Sequence, residues 1–316
     1  MIAAFAAVYL IWGSTYLAIK YAIVSIPTFL LGGIRFTIAG VLMLLWGRIS
    51  PNYERPKLVH WRTSAIVGFL LLTIGNGGVV IAEHHISSGM TALMVATLPF
   101  WVILIGWVFM KTGRPEIRVM AGLAVGFIGV MLLISGGNSA GDSTAGGTAI
   151  GFIAVTVSTV GWAVGSLYGI KAPSVRSPIV AAGMQMLCGG AFMLIVGTAM
   201  GEWSAFDIAA VTTESWLALA YLIFFGAIVA YTAYSWLVKN VSPTALSTYA
   251  YVNPAIAVIL GWAVAGENLS GTMLLGAAIV VGSIALTTIK KRKKRGRPKT
   301  PTAITPASRR EQFSAG

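Results

Sequence analysis

Two cations and two carboxylates stand in or beside apolar runs that should carry no charge. Lys20 and Arg35 lie inside long hydrophobic stretches, and Glu83 and Glu267 close two others. In a bilayer such charges are costly, so each needs a partner, a wet cavity or the interface. Arg35 lies about seven residues inside its run, roughly 10 Å at the helical rise, which is deep for a snorkelling side chain. Lys20 is nearer its end, and Glu267 is read as an interface residue. The chemistry open to this set is switchable ion pairing: a vestibule or gate in which Arg35 or Lys20 pairs with Glu83 in one state and releases it in another. His84 adjoins Glu83. Adjacent His84 and His85 point about 100° apart on a helix, a poor pair of ligands, so no metal is expected.

Uncharged polar residues extend the set. Trp12, Ser14, Thr15 and Tyr16 fall in the first run, Asn76 in the third, Gln185 in the seventh and Tyr231 in the eighth, while Tyr249 and Asn253 fall in the ninth with Tyr251 between them. A cavity lined by tyrosines, tryptophans and a few amides suits an amphipathic organic solute. An inorganic ion would need converging carboxylates or carbonyls. Tyr234 and Trp236 are read as interfacial belt residues. No nucleophile with a base stands mid-run, so neither an enzyme nor a cofactor is expected. Cys188 is the only cysteine, which rules out an internal disulfide.

The elements that must position these residues follow from composition and charge. With 57% hydrophobic and 10% charged residues the chain is no soluble globular domain. Ten apolar runs match the bilayer thickness: 2–24, 28–47, 64–83, 90–110, 119–136, 149–170, 179–200, 216–238, 244–264 and 271–289. Little chain remains for a soluble catalytic domain. The first run has no basic n-region and carries Lys20, which argues against a cleaved signal peptide. Twenty of the 22 lysines and arginines fall in alternate connections, at 48–62, 111–118, 171–178, Lys239 and the tail from Lys290. Basic loops stay cytoplasmic, so both termini are expected inside. The tail holds ten cations against Glu311, so most of the +13 formal charge belongs to one appendage. Its Arg-Gly-Arg-Pro resembles a minor-groove hook, but basic residues after a last span contact anionic lipid. Nucleic acid is not an expected partner, and the Pro-, Thr- and Ser-rich end reads as disordered.

Ten runs divide into two related fives. Thr91-Ala-Leu, Pro99 and Gly106-Trp107 reappear as Thr244-Ala-Leu, Pro254 and Gly261-Trp262, with seven residues from proline to Gly-Trp in both. Trp12 and Lys20 echo Trp162 and Lys171, and Gly122 and Gly129 echo Gly276 and Gly282. Five being odd, the second half crosses in the opposite sense. An inverted repeat lets one site between the halves open to either face, a design of secondary transporters. The expected organisation is a first five-helix repeat at 1–137, an outer linker at 138–148 (Gly-rich, without a phosphate-loop lysine), a second repeat at 149–289 and a tail at 290–316. Pro99 and Pro254 are candidate hinges, since proline inside a span removes a hydrogen bond and bends the helix. Glycines such as Gly32, Gly33, Gly40, Gly189, Gly190 and Gly282 let helices approach closely.

The motifs Trp12-Gly-Ser-Thr-Tyr-Leu-Ala-Ile-Lys20, Arg35-Phe36 with Ala39-Gly40, and Gly75-Asn76-Gly77 through Ala82-Glu83-His84 resemble the EamA-type branch of the drug/metabolite transporter superfamily. So do Ser242-Pro-Thr-Ala-Leu, Tyr249-Ala-Tyr-Val-Asn-Pro254 and Gly266-Glu267-Asn-Leu-Ser270. The resemblance spans residues 8–289. It implies an all-α membrane protein of ten transmembrane helices in two inverted five-helix repeats around a central cavity. It further implies a bacterial inner-membrane exporter of metabolites or drugs, with fifth and tenth helices at the periphery, as monomer or homodimer. The first half departs from the pattern in having Lys111-Thr-Gly-Arg where the second has Gly266-Glu267. A membrane-tethered interaction protein acting through its basic tail is the alternative; deleting residues 290–316 would abolish a tether's function and spare a transporter's flux.

Overall fold

The computed structural model describes residues 1–50, 53–110, 114–137, 145–241 and 249–288. The basic tail 290–316, most of the linker 138–148, the motif 242–246 and Lys111 to Gly113 lie outside the described residues. Where no water reaches, a backbone must satisfy itself, which leaves helices or closed barrels. This chain uses helices, and no strand occurs among the described residues. They are α1 (Ile2–Ala22), α2 (Thr28–Arg48), α3 (Leu58–Glu83), α4 (Ser88–Val95 with Leu98–Met110), α5 (Ile117–Gly137), α6 (Ala145–Lys171), α7 (Pro178–Ala199), α8 (213–240), α9 (Tyr249–Ala265) and α10 (Gly271–Thr288). Seven contain stretches long and apolar enough to cross a bilayer; α5, α9 and α10 contribute shorter apolar stretches, Val119–Leu132, Val252–Ala265 and Gly271–Ser283.

Local sequence explains the ends and the breaks. Ser87, Ser177 and Thr212 each accept a hydrogen bond from the backbone N–H three residues on, capping α4, α7 and α8. Pro178 follows Ser177 at the first helical position, where its missing N–H costs nothing. Pro99 cannot donate to Val95, and α4 is interrupted at Ala96–Thr97, where Thr97 Oγ1 donates to the Met94 carbonyl at 2.6 Å. Pro254 behaves differently: α9 runs through it without a break. The two prolines are thus one helix break and one internal proline.

Both α3 and α8 widen in the middle into π-helix, over Phe69–Asn76 and Leu222–Val229. Each is the third long helix of its half. Such wide turns are uncommon and concentrate at functional sites.

The halves interlock reciprocally. α2 packs along α7 and α5 along α10; α1 packs on α8 and α9, and α6 on α3 and α4. Close approach along α2 and α7 depends on missing side chains. A Cβ on Gly40 would lie 2.6 Å from the Leu187 amide nitrogen, and one on Gly190 would lie 2.7 Å from that of Thr37. Backbone cannot give way at those distances, so the glycines set the spacing. Gly282 departs from the expectation, since a Cβ there meets only open space. Around this interior runs an exposed apolar surface, including Leu45, Phe109, Phe127, Ile195 and Phe224, of the extent that lipid covers.

Candidate functional site

α1, α2, α8 and α9 converge on one polar, aromatic region. Trp12 of α1, Tyr234 of α8 and Tyr249 of α9 are in mutual contact, with ring centroids 5.2, 5.6 and 5.9 Å apart. Two of the three pairs are edge-to-face, the geometry that aligns a ring's positive edge with a negative face. Tyr231 adjoins Tyr234 at 6.4 Å. The Trp12 indole N–H donates to the carbonyl of Gly226 at 3.2 Å, within the π turn of α8. The same glycine admits Arg35. A Cβ there would lie 3.2 Å from Thr15 Cγ2 and 3.3 Å from Arg35 Nη2. A side chain at Gly226 would press on Thr15 and on the Arg35 guanidinium, so the glycine eases their close approach to the α8 backbone.

Arg35 is 7% exposed, with its Cζ 4.7 Å from the Phe36 ring centroid. Its Nε is buried without a hydrogen-bond acceptor, and it forms no ion pair among the described residues. Asn253, one turn beyond Tyr249 on α9, is 8% exposed, and its Oδ1 is likewise buried without a donor. Tyr16, one turn beyond Trp12, is within electrostatic reach of both Tyr249 and Glu83. The Ser14 hydroxyl lies 2.6 Å from that of Tyr221 and 2.7 Å from the Leu10 carbonyl. Thr15 Oγ1 donates to the Trp12 carbonyl at 2.7 Å.

The other half repeats part of this contact with the helices exchanged. Ser158 of α6 donates to the Gly75 carbonyl in the π turn of α3, and a Cβ on Gly75 would lie 3.1 Å from the Trp162 ring. Asn76 closes that turn by donating to the Leu71 carbonyl at 3.4 Å. Gln185 lies where α7 crosses α3, its backbone carbonyl packed on Gly68.

A second constellation occupies the bundle end where α1 and α3 finish. Lys20 Nζ lies 2.9 Å from Glu267 Oε1. That carboxylate also accepts from Ser88 N at 2.9 Å, Ser88 Oγ at 2.7 Å and Gly89 N at 3.2 Å, filling the N-terminus of α4. Gly266, at φ 65°, makes the left-handed turn that delivers it. Burial alone would raise the Glu267 carboxyl, but the hydrogen bonds from Lys20, Ser88 and Gly89 hold it below its ordinary value. Glu202 acts alike on α2, accepting from Phe29 N and Leu30 N at 3.0 and 2.8 Å. Glu83 is 8% exposed and neither oxygen has a hydrogen-bond partner; it feels the charges of Glu267 and Lys20, and among the described residues no ion pair joins it to Arg35. His84 Nε2 lies 3.0 Å from Thr28 Oγ1, beside a cleft of about 500 Å³ that Glu202 and Asp207 also line. Burial, and then His85, hold His84 below the ordinary histidine value, while Glu202 pulls the other way. Among the described residues no group of three potential ligands could hold a metal.

The sequence-based set therefore divides. Trp12, Thr15, Arg35, Tyr231, Tyr249 and Asn253 line or flank the aromatic region, Ser14 and Tyr16 adjoin it, and Lys20, Glu83 and His84 belong to the bundle end. Asn76 and Gln185 are assembled separately, on α3 and α7. Lys20 takes Glu267 rather than Glu83. Glu202 and Gly226 do not stand out in the sequence, and Glu267 and Tyr234 read there as interface residues. Tyr234, expected at the interface, is a member of the ring triad, whereas its neighbour Trp236 is 45% exposed. The i, i+3 spacing of Tyr231 and Tyr234 is the signal that places them on one helix face. The Tyr251 side chain lies outside the described residues.

The EamA-like transporter family model matches residues 1–135 and again residues 149–289. The chain is 36% identical over 289 residues to the uncharacterized inner membrane transporter YedA of Escherichia coli strain K12, covering 90% of this chain and 89% of that one. It is 25% identical over 285 residues to the uncharacterized transporter YvbV of Bacillus subtilis, covering 90% of each, and 25% identical over 293 residues to protein PecM of Dickeya dadantii, covering 90% and 93%. A solved protein structure superposes with a TM-score of 0.61 at 21% identity, over 90% of this chain and 94% of that one, which shows a shared fold.

Proposed function

The chain belongs to the EamA-like transporter family, whose model it matches along both halves, and from that premise we propose that it is a multi-pass bacterial inner-membrane carrier exporting small organic solutes by alternating access. The observation that carries the reading is the region between α1, α2, α8 and α9. There three aromatic rings touch one another, and the same helices carry a buried arginine with no ion pair among the described residues and a buried amide oxygen with no donor. Unmet polar groups beside aromatic surface form an amphipathic site, suited to amino acids, related metabolites or drug-like compounds.

Ten crossings in two inverted repeats, 1–137 and 149–289, with both termini cytoplasmic, supply the mechanism. The reciprocal packing of the halves supports it, as do the π turns that both α3 and α8 carry. Exchanging the halves' conformations opens the same site to the other face. In that orientation the Lys20–Glu267 end faces outward and is latched, Glu267 tying α1 to α4. Pro99 and Pro254 stand beside this path as hinges. The α5–α10 pair, with exposed Phe127, Ile128 and Leu275, is a surface that suits either lipid or a second copy, so monomer and homodimer both fit. The basic tail meets anionic lipid.

The test is efflux from overexpressing cells loaded with a panel of amino acids, organic acids and cationic dyes. At least one compound should accumulate less, and that effect should disappear in Trp12→Ala. No change for any compound would overturn the exporter reading.

A further inference from the structure

Of the two buried charges without an ion pair or full hydrogen bonding among the described residues of the spans, Arg35 lies beside the aromatic region, sharing Gly226 with Trp12. Glu83 is set among Lys20 and Glu267 instead. We propose, building on the transport reading, that the site selects organic acids: a carboxylate on the Arg35 guanidinium, an aromatic or apolar body against Trp12, Tyr234 and Tyr249, and a hydrogen-bond donor at Asn253 Oδ1. Organic cations are rejected.

Charge and geometry argue this together. A guanidinium offers five donors in a planar fork and binds a carboxylate through two parallel bonds. Here the fork's buried Nε has no acceptor, and no aspartate or glutamate forms an ion pair with it among the described residues. An unpaired charge held out of water is expensive, and an anionic ligand removes that cost on binding. A cation would add repulsion to desolvation. Trp12, Tyr234 and Tyr249 present edges and faces, which accommodate a flat apolar body without fixing its substituents. Asn253 Oδ1 adds one acceptor, so a ligand carrying both a carboxylate and a donor satisfies both orphaned groups.

The test uses purified full-length protein in lipid nanodiscs and three probes with one ring and three charges: phenylacetate, phenylacetamide and 2-phenylethylamine. Equilibrium binding should rank phenylacetate first and the amine last. A charge-assisted pair predicts that phenylacetate exceeds the amide by about tenfold to hundredfold. Arg35→Gln should bring phenylacetate down to the amide's level, and Arg35→Lys should restore part of the difference. Trp12→Ala should weaken phenylacetate and phenylacetamide alike, since both share the ring. Thermal unfolding of each variant distinguishes lost binding from lost fold. Amine binding as tight as phenylacetate, no binding of phenylacetate, or unchanged phenylacetate binding by a folded Arg35→Gln overturns the proposal. The efflux panel separates this from the transport reading. Efflux of cationic dyes with no phenylacetate binding sinks the anion site and leaves transport standing; phenylacetate binding without efflux of any compound does the reverse.

Discussion

Lys20 and Arg35 are neighbouring-helix cations in apolar runs, yet the structure treats them oppositely. The Lys20 side chain is 37% exposed and has a carboxylate at 2.9 Å. Arg35 is 7% exposed, and its Nε has no acceptor. Stability alone would arrange this the other way, because a buried unpaired charge costs far more than an exposed one. The paired cation belongs to an assembly that is complete by itself: Glu267 also receives both backbone N–H groups at the start of α4. The unpaired one leaves a buried Nε without an acceptor, the gap that the proposed carboxylate ligand would fill. Lack of a partner at Arg35, beside the aromatic rings, sets it apart from Lys20, whose partner is already in place.

The largest expected effect falls on the complete assembly. Glu267→Ala removes the acceptor for two backbone N–H groups, the Ser88 hydroxyl and Lys20. Leaving the Ser88 and Gly89 donors buried and unmet should destabilise the protein by about 3 kcal/mol, read as a lower Tm for the purified protein. Arg35→Met should move stability the other way. Replacing an unpaired buried charge with an apolar side chain of similar length should gain about 1 kcal/mol while abolishing phenylacetate binding. A Tm that falls instead would mean that Arg35 already has its partner, and the comparison would break. Glu202→Ala is intermediate: it uncaps Phe29 N and Leu30 N, for a loss of about 1 kcal/mol in the same thermal assay.

Helix placement was legible because apolar length and basic loops are local properties. Trp12, Arg35, Tyr249 and Asn253 stood out as polar groups inside apolar runs. The π turns were not legible, since Phe69–Asn76 and Leu222–Val229 read as ordinary apolar helix; α6 and α7 pack on the first and α1 and α2 on the second. The partner of Lys20 was hidden for a related reason. Glu83 and Glu267 lie at the same end of the bundle, and only the left-handed Gly266 turn puts Glu267 over the α4 N-terminus. Tyr234 was misplaced because counting from the end of α8 gives depth but no facing direction, which its neighbours Trp12 and Tyr249 decide.

The smallest effect sharpens the comparison most. Lys20→Met removes a pair whose cation is more than one-third exposed, so screening limits the loss to well under about 1 kcal/mol. Glu267 keeps Ser88 and Gly89, and the latch should survive. The pH dependence then shows which partners hold the carboxylate. Its folded value lies below the ordinary 4.5, so its contribution is complete above that value and is lost as pH falls through the folded one. Thermal scans of the wild type should therefore show Tm dropping on acidification below about pH 4.5. In Lys20→Met the drop should start at the same pH but be smaller and end at slightly higher pH, because one of the hydrogen bonds that hold the value down is gone. In Glu267→Gln this acid-sensitive component should be absent. If Lys20→Met removed it as completely as Glu267→Gln, the lysine rather than the α4 N-terminus would hold Glu267 in place, and the latch would be an ion pair rather than a helix cap.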